Sequence, residues 1–412
     1  MEINKTAPRT HPKEVIRPNE FIGLIASIML LTALAIDIML PAFESVRQHF
    51  NLKPESTKTA QIVTFFFLGQ IGQLIFGPLA DRYGRLPVLR GGFFLYIGGC
   101  LAAPVAPSIA WLLAARFVVG LGAAALFVGA ISCVRDRFQG NEMARIMSLV
   151  LTIFLLVPIV APLFGAGVLA LFGWQVVFLT PALFAIGFFF WSLRLRESRP
   201  ETAPNVGDMQ SFFRSVRLIF GNRDFVRYTL ITTILFTSFS SYISSSERMI
   251  GTIYGRPELF VYIFAGIGAI MALFTYLNAR LVTRFGARRT VRGLLIAYLS
   301  LAILLLVLTI LAKGEPNLFL FFGIIALLQG INVAAEPNSS ALALEPLGSV
   351  AGTASAIYGT SYLVVGALIG SFIDRLLVES VVPLARAYCL VGFLTILLVY
   401  PDRSPKEAAK PE

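Results

Sequence analysis

Charge disappears from this sequence for roughly twenty residues at a time, the length of helix that spans a bilayer core, and it does so repeatedly along the chain. A helix returns its backbone hydrogen bonds to itself, so apolar runs of this length read as membrane crossings. Bounded by charge or by Pro/Gly clusters, the spans fall at 21–41, 58–79, 88–106, 108–131, 144–168, 174–193, 225–246, 258–279, 290–312, 317–337, 350–373 and 385–400. That makes twelve, and an even number puts both chain ends on one face. Composition agrees: 57% of the 412 residues are apolar, 14% are charged, and mean hydropathy is +0.78. Soluble domains run near 45–50% apolar and roughly 25% charged, so a soluble globule is excluded. The expected fold is all-α and integral to the membrane.

The basic residues orient it. On the side of the termini the connecting segments hold 25 Lys and Arg, on the other side 8, and Arg116 lies inside a span. The positive-inside rule then places the N-terminal tail 1–20 and the C-terminal tail 401–412 in the cytoplasm. The same asymmetry accounts for the net charge of +11 with no nucleic-acid partner. The first twenty residues carry both signs of charge and no cleavable signal pattern. Cys100, Cys133 and Cys389 fall in or beside apolar stretches without a disulfide or zinc spacing, and His11 and His49 sit in polar segments. That pattern suggests no metal and no histidine-based catalysis.

The longest hydrophilic interruption, Arg194 to Arg227, follows the sixth span and divides the chain into a 21–193 half and a 225–400 half, joined by a cytoplasmic linker at 194–224. Within it Phe212, Phe213, Val216, Ile219 and Phe220 recur at helical spacing with Arg214 and Arg217 opposite. This suggests a short helix in the membrane interface, the alternative being an irregular linker. The halves echo one another: Asp81-Arg82-Tyr83-Gly84-Arg85 follows span two, and Thr283-Arg284-Phe285-Gly286-Ala287-Arg288-Arg289 follows span eight. A repeated six-helix unit with a site at the repeat interface is the usual architecture of secondary transporters.

Gly77-Pro-Leu-Ala-Asp-Arg-Tyr-Gly-Arg-Leu-Pro87 reads as a tight turn in which glycines permit the bend and Asp81, Arg82 and Arg85 form ion pairs that tie helix ends together. A basic topology anchor is the plainer reading. The segment resembles the signature loop of the major facilitator superfamily nearly residue for residue. Further stretches resemble its drug:proton antiporters, and among them the bicyclomycin and chloramphenicol resistance (Bcr/CflA) subfamily. They are Ile36-Asp-Ile-Met-Leu-Pro41, Gly72-Gln-Leu-Ile-Phe-Gly-Pro-Leu79, Val134-Arg-Asp136, Ala161-Pro-Leu-Phe-Gly165 with Phe172-Gly-Trp-Gln175, and Ala341-Leu-Ala-Leu-Glu345 with Ala351-Gly-Thr-Ala-Ser355. Leu86 and Ala166 depart from the pattern, where the family usually has Arg and a second Gly. The resemblance implies the major facilitator fold: two six-helix bundles related by a pseudo-two-fold axis.

Asp37 is the most informative residue. A carboxylate inside a span costs about 2.5–3.5 kcal/mol on insertion scales, so it needs a reason to be there. Carrying a proton and pairing with a cationic substrate group both suit it. Snorkelling to the far interface and capping the helix near Pro41 is the other reading. The resemblance favours proton or substrate recognition. Arg116 is the single basic residue deep in a span and needs a partner or a wet cavity; at a depth comparable to Asp37, pairing or competition between the two is expected. The resemblance implies a part in proton coupling, and a structural arginine is the alternative.

Pro158, Pro162, Gly165 and Gly167 in span five resemble the antiporter motif, with prolines to kink and small residues to pack closely. Glu336, near the terminal-side end of span ten, is either a residue facing cytoplasmic water, the favoured reading, or an inner proton station. Gln61, Gln70, Gln73, Ser241, Tyr242, Ser244, Asn332 and Asn338 are cavity-lining candidates. The 35 phenylalanines supply apolar surface able to take many lipophilic molecules weakly.

These readings converge on a proton-driven exporter of small lipophilic or antibiotic-like molecules, a monomer in the bacterial inner membrane that needs lipid, protons and substrate but no cofactor. No G-x-x-x-x-G-K-[ST] phosphate loop is present, so an ion gradient is the energy source. A proton-coupled metabolite transporter of the same fold, uptake symporter included, is the alternative. A non-transporting ligand binder would lack its usual soluble effector domain, and an enzyme would lack a catalytic cluster.

Overall fold

The computed structural model describes residues 17–53, 56–138, 140–198, 209–377 and 380–400, and every regular element within them is helical. Most of the N-terminal tail, the stretch 199–208 of the linker and the C-terminal tail 401–412 lie outside the described residues. The first half contains α1 (Pro18–Asp37), α2 (Phe43–His49), α3 (Gln61–Gly69), α4 (Gly72–Tyr83), α5 (Arg85–Ala102), α6 (Ile109–Arg137), α7 (Gly140–Phe172) and α8 (Trp174–Ser192). After α9 (Met209–Gly221) in the linker come α10 (Arg223–Arg248), α11 (Phe260–Phe285), α12 (Ala287–Leu311), α13 (Leu318–Leu344), α14 (Ala351–Thr360), α15 (Gly366–Leu376) and α16 (Val382–Val399).

These elements make twelve crossings, because α3 and α4 form one broken crossing, as do α14 and α15 across the π-helical stretch Ser361–Val365. The face where α1 begins and α16 ends is called the terminal face below, and the opposite one the far face. Nine helical segments among the described residues cross on hydropathy grounds. The others are α5, α7 and α10. Polarity hides α10: ten of its residues from Thr229 to Ser246 are Ser or Thr. Many of these hydroxyls bond back to the preceding turn, as Thr233 Oγ1 does to the Thr229 carbonyl at 2.7 Å and Ser244 Oγ to the Ser240 carbonyl at 2.8 Å. Such back-bonding satisfies them inside an apolar environment.

The repeated loop has one geometry in both halves. Gly84 joins α4 to α5 at φ 107°, ψ 161°, and Gly286 joins α11 to α12 at φ 78°, ψ 157°. Only glycine adopts such a backbone without strain. Gly77, by contrast, is an ordinary helical residue inside α4 with open space where a Cβ would stand, so it does not make the turn. Within the first half α3 and α6 meet backbone to backbone: a Cβ on Gly120 would stand 2.1 Å from the Phe66 carbonyl oxygen. With no hydrophobic drive between helices in lipid, this close approach is what holds them together.

Candidate functional site

Between the halves lies a cavity of about 450 Å³ walled by helices of both. Phe67, Phe127 and Phe154 face it from one bundle and Phe236, Phe239, Phe264, Tyr358 and Tyr362 from the other. Phe67 and Phe236 touch across the divide, edge to face, with centroids 5.1 Å apart. Among the described residues two carboxylates, Asp37 and Glu336, line this wall, and no Lys, Arg or His does.

Asp37 is the last residue of α1 and is 4% exposed. No hydrogen bond or ion pair reaches its carboxylate from the described residues. The same end of the cavity holds the buried Tyr242, whose hydroxyl also has no partner among the described residues and whose ring stacks on Phe264 at 5.6 Å. An interfacial cap near Pro41 is thereby set aside, because Asp37 is enclosed rather than snorkelled.

The expected pairing of Asp37 with Arg116 is absent. Arg116, 1% exposed, turns its Nη2 to the Ala35 carbonyl at 2.7 Å and lays its guanidinium over the Phe66 ring at 5.1 Å. The reason is local: α1 ends at Asp37, so the Ala35 carbonyl has no i+4 amide within the helix, and such orphan acceptors seek another donor. The ring supplies attraction worth roughly 2 kcal/mol when desolvated. Tyr96 of α5 donates to the Leu31 carbonyl at 2.7 Å, one turn earlier. Arg116 and Tyr96 thus hold the segment of α1 that carries Asp37, and Arg116 itself is not on the cavity wall.

Glu336 faces the cavity rather than terminal-side water, contrary to the favoured sequence reading. Residue Pro337 follows it but α13 continues to Leu344, which carries Glu336 a full two turns inside the helix. On the same wall the Tyr358 hydroxyl meets Thr232 Oγ1 at 2.9 Å.

Of the polar candidates, Gln70, Gln73, Tyr242 and Asn332 line the cavity. Gln70 stands at the α3/α4 break, donating to the Gly120 carbonyl at 3.2 Å and accepting from Gln73 at 3.1 Å. Asn332 donates to Ser238 Oγ and Gln329 Oε1. Gln61 lies at the far-face start of α3, off the cavity. Asn338 is also off it, donating to Asn278 of α11 at 2.8 Å, so it joins two helices. Ser241 and Ser244 turn away from the cavity to a carboxylate that the sequence reading passed over. Asp374, 2% exposed in α15, accepts from Ser241 at 2.6 Å, Ser244 at 2.5 Å and Ser245 at 2.9 Å. The span drawn to 373 stopped one residue short of it. A serine run within an otherwise apolar stretch was the available signal for a buried acceptor.

One polar cluster stands at each face. At the terminal face Arg85 pairs with Asp81 at 2.5 Å and Asp136 at 2.8 Å, and Glu197 accepts the Arg85 and Leu86 amides at 2.9 and 3.0 Å, capping α5. Arg82 lies over the neighbouring Tyr83 ring at 5.3 Å. At the far face Arg47 of α2 meets Glu247 of α10 at 2.7 Å, with Glu44 and Thr59 alongside. In α7, a Cβ on Gly165 would stand 2.0 Å from the Ile38 carbonyl oxygen, next to Asp37, whereas Gly167 has open space. Pro158 lines the cavity, Pro162 is buried, and α7 runs through both as one helix.

The sequence profile described as Major Facilitator Superfamily matches residues 25–371. The chain belongs to that superfamily. Its fold is the major facilitator fold, and it is a multi-pass membrane transporter. The crystal structure of a D-xylose-proton symporter superposes with a TM-score of 0.72 over 93% of this chain and 97% of that one, at 14% identity. Such identity speaks to fold alone. Similar sequences include a "Bicyclomycin resistance protein homolog" of Haemophilus influenzae, 26% identical over 92% of this chain and 95% of that protein. A "Chloramphenicol resistance protein" of Pseudomonas aeruginosa is 29% identical over 91% and 88%, and "Multidrug resistance protein MdtL" of Shigella dysenteriae 27% over 92% and 95%. These relatives agree with the drug:proton antiporter subfamily that the Asp37 segment resembles.

Proposed function

We propose that this superfamily member is a drug:proton antiporter that exports small lipophilic, antibiotic-like molecules by alternating access. The observation that carries the reading is Asp37: a carboxylate enclosed in an aromatic cavity between two bundles, with no cation or donor from the described residues. A cavity for passive passage of neutral solutes has no use for such a group. A site that must exchange a proton for substrate does, since the carboxylate binds one or the other.

In this reading the halves 21–193 and 225–400 rock about the linker 194–224 around a fixed central site. Asp37 takes the proton, Arg116 positions α1 beneath it, and Glu336 is a second acidic station on the opposite bundle. Gln70, Gln73, Tyr242 and Asn332 contact substrate. The ion-paired loop at Asp81 and Arg85 holds one end and the Arg47 cluster the other. Both termini are cytoplasmic, the membrane is the bacterial inner membrane, and one chain suffices. One proton moving down roughly 150 mV releases about 3.5 kcal/mol, enough to sustain a substrate gradient of some hundreds-fold.

A growth screen of an overexpressing strain across toxic compounds, beginning with chloramphenicol and bicyclomycin, identifies a substrate. Its addition to energised everted vesicles is expected to release protons, and Asp37→Asn to remain folded yet lose uphill transport. Uphill pumping by Asp37→Asn would overturn the role given to Asp37. Protons and substrate moving in the same direction would make the protein a symporter.

A further inference from the structure

The terminal face is electrically lopsided. In the first half carboxylates are interspersed with its arginines, at Glu20, Asp81, Asp136, Glu142 and Glu197, and Arg85 pairs with Asp81 and Asp136 and Arg194 with Glu20 at 2.6 Å. In the second half, residues 209–227 and 280–292 hold nine arginines, no lysine and a single carboxylate, Asp224. One ion pair joins the two stretches: Arg288 at the start of α12 meets Asp224 at the start of α10 at 2.8 Å. Within the first stretch Phe220 of α9 packs edge-on against Phe225 of α10. On the segments so joined Arg214, Arg217, Arg223, Arg284 and Arg289 are all exposed. Beside the arginines stand apolar side chains left uncovered by the protein: Leu218 and Phe220 on α9, 50% and 57% exposed, and Phe285 at the end of α11, 46% exposed.

We propose that this surface is a docking site for anionic phospholipid headgroups of the leaflet at the terminal face. Setting topology requires only positive charge, which lysine supplies equally well. A surface of arginine alone presents planar forks that grip a phosphate through two parallel hydrogen bonds. The neighbouring apolar residues decide between lipid and a soluble acidic partner. Phe285 ends α11, and Leu218 and Phe220 stand on α9 just ahead of α10, so a lipid satisfies both halves of the surface at once, phosphate on the arginines and acyl chain on these apolar side chains. Helix α9 then lies in the interface plane as basic amphipathic helices do.

The test uses the full chain in mild detergent, with retained lipid counted by native mass spectrometry. Phosphatidylglycerol is expected to bind at about ten-fold lower concentration than phosphatidylcholine, and the combined Arg214→Gln, Arg217→Gln and Arg289→Gln variant to remove that advantage. The matching Lys variant is expected to bind phosphatidylglycerol more weakly than the native protein but more tightly than the Gln variant. Arg375→Gln with Arg386→Gln, exposed at the far face, is the control and is expected to change nothing. Equal retention of both lipids, or a preference untouched by the triple Gln variant, overturns the proposal. So does capture of poly-glutamate in competition with phosphatidylglycerol, which would assign the surface to an acidic protein.

Discussion

Arg47 Nη2 stands 2.7 and 2.9 Å from the two carboxylate oxygens of Glu247, joining the two bundles at the far face through residues 200 positions apart. Arg47 is 2% exposed and spends its other donors on Glu44 and Thr59. Removing one member of a buried pair costs about 3–5 kcal/mol, because the other charge is left uncompensated. Glu247→Gln is therefore expected to shift the protein toward states open at the far face by at least a hundred-fold in population. Spin labels on the far-face ends of α2 and α11 measure it, and a distance distribution identical to the native one would refute a closing role for the pair.

Glycines 165 and 167 share one motif but not one environment. A methyl on Gly165 collides with the Ile38 carbonyl beside Asp37, while one on Gly167 meets nothing within 4 Å. Overpacking typically costs about 1–3 kcal/mol. Gly165→Ala is expected to lower the melting temperature and impair transport, and Gly167→Ala to do neither. Equal effects in a thermal-shift assay would contradict the contact.

Asp374 with its three serines is a staple between α15 and α10, outside the cavity. Hydrogen bonds between membrane helices average about 0.6 kcal/mol and reach roughly 1.7, so Asp374→Ala is expected to cost about 2–4 kcal/mol. Asp374→Asn keeps an acceptor and is expected to recover much of that loss. Loss of transport in an Asp374→Asn protein of native stability would show instead that the group titrates during the cycle.

Glu336 and Asp37 sit on opposite bundles of one cavity, and their parts are separable. Glu336→Gln is expected to leave uphill transport of a neutral substrate intact while raising KM for a cationic one about ten-fold, the worth of one charged contact. Asp37→Asn is expected to end uphill transport of both. If Glu336→Gln abolishes coupling for neutral substrates as well, Glu336 belongs to the proton path.

Much of this protein was legible in one dimension. Hydropathy and charge act residue by residue, so runs without charge located the crossings. The echo of Gly84 and Gly286 announced two copies of one unit, because a left-handed backbone admits little but glycine. Asp37 stood out because a carboxylate in an apolar run is costly wherever the helix points.

What the sequence could not decide is rotation and register. Each residue turns a helix by about 100 degrees, so a one-residue shift moves a side chain from cavity to lipid. Only packing set Glu336 on the cavity wall and drew Asn338 toward Asn278. Helix ends were equally decisive. Because α1 stops at Asp37, Arg116 spends its charge on the orphaned Ala35 carbonyl and leaves the carboxylate alone. Asp374 and the Arg47 to Glu247 pair depend on neighbours more than a hundred residues away. Such encounters are properties of the assembled bundles, and no local pattern encodes them.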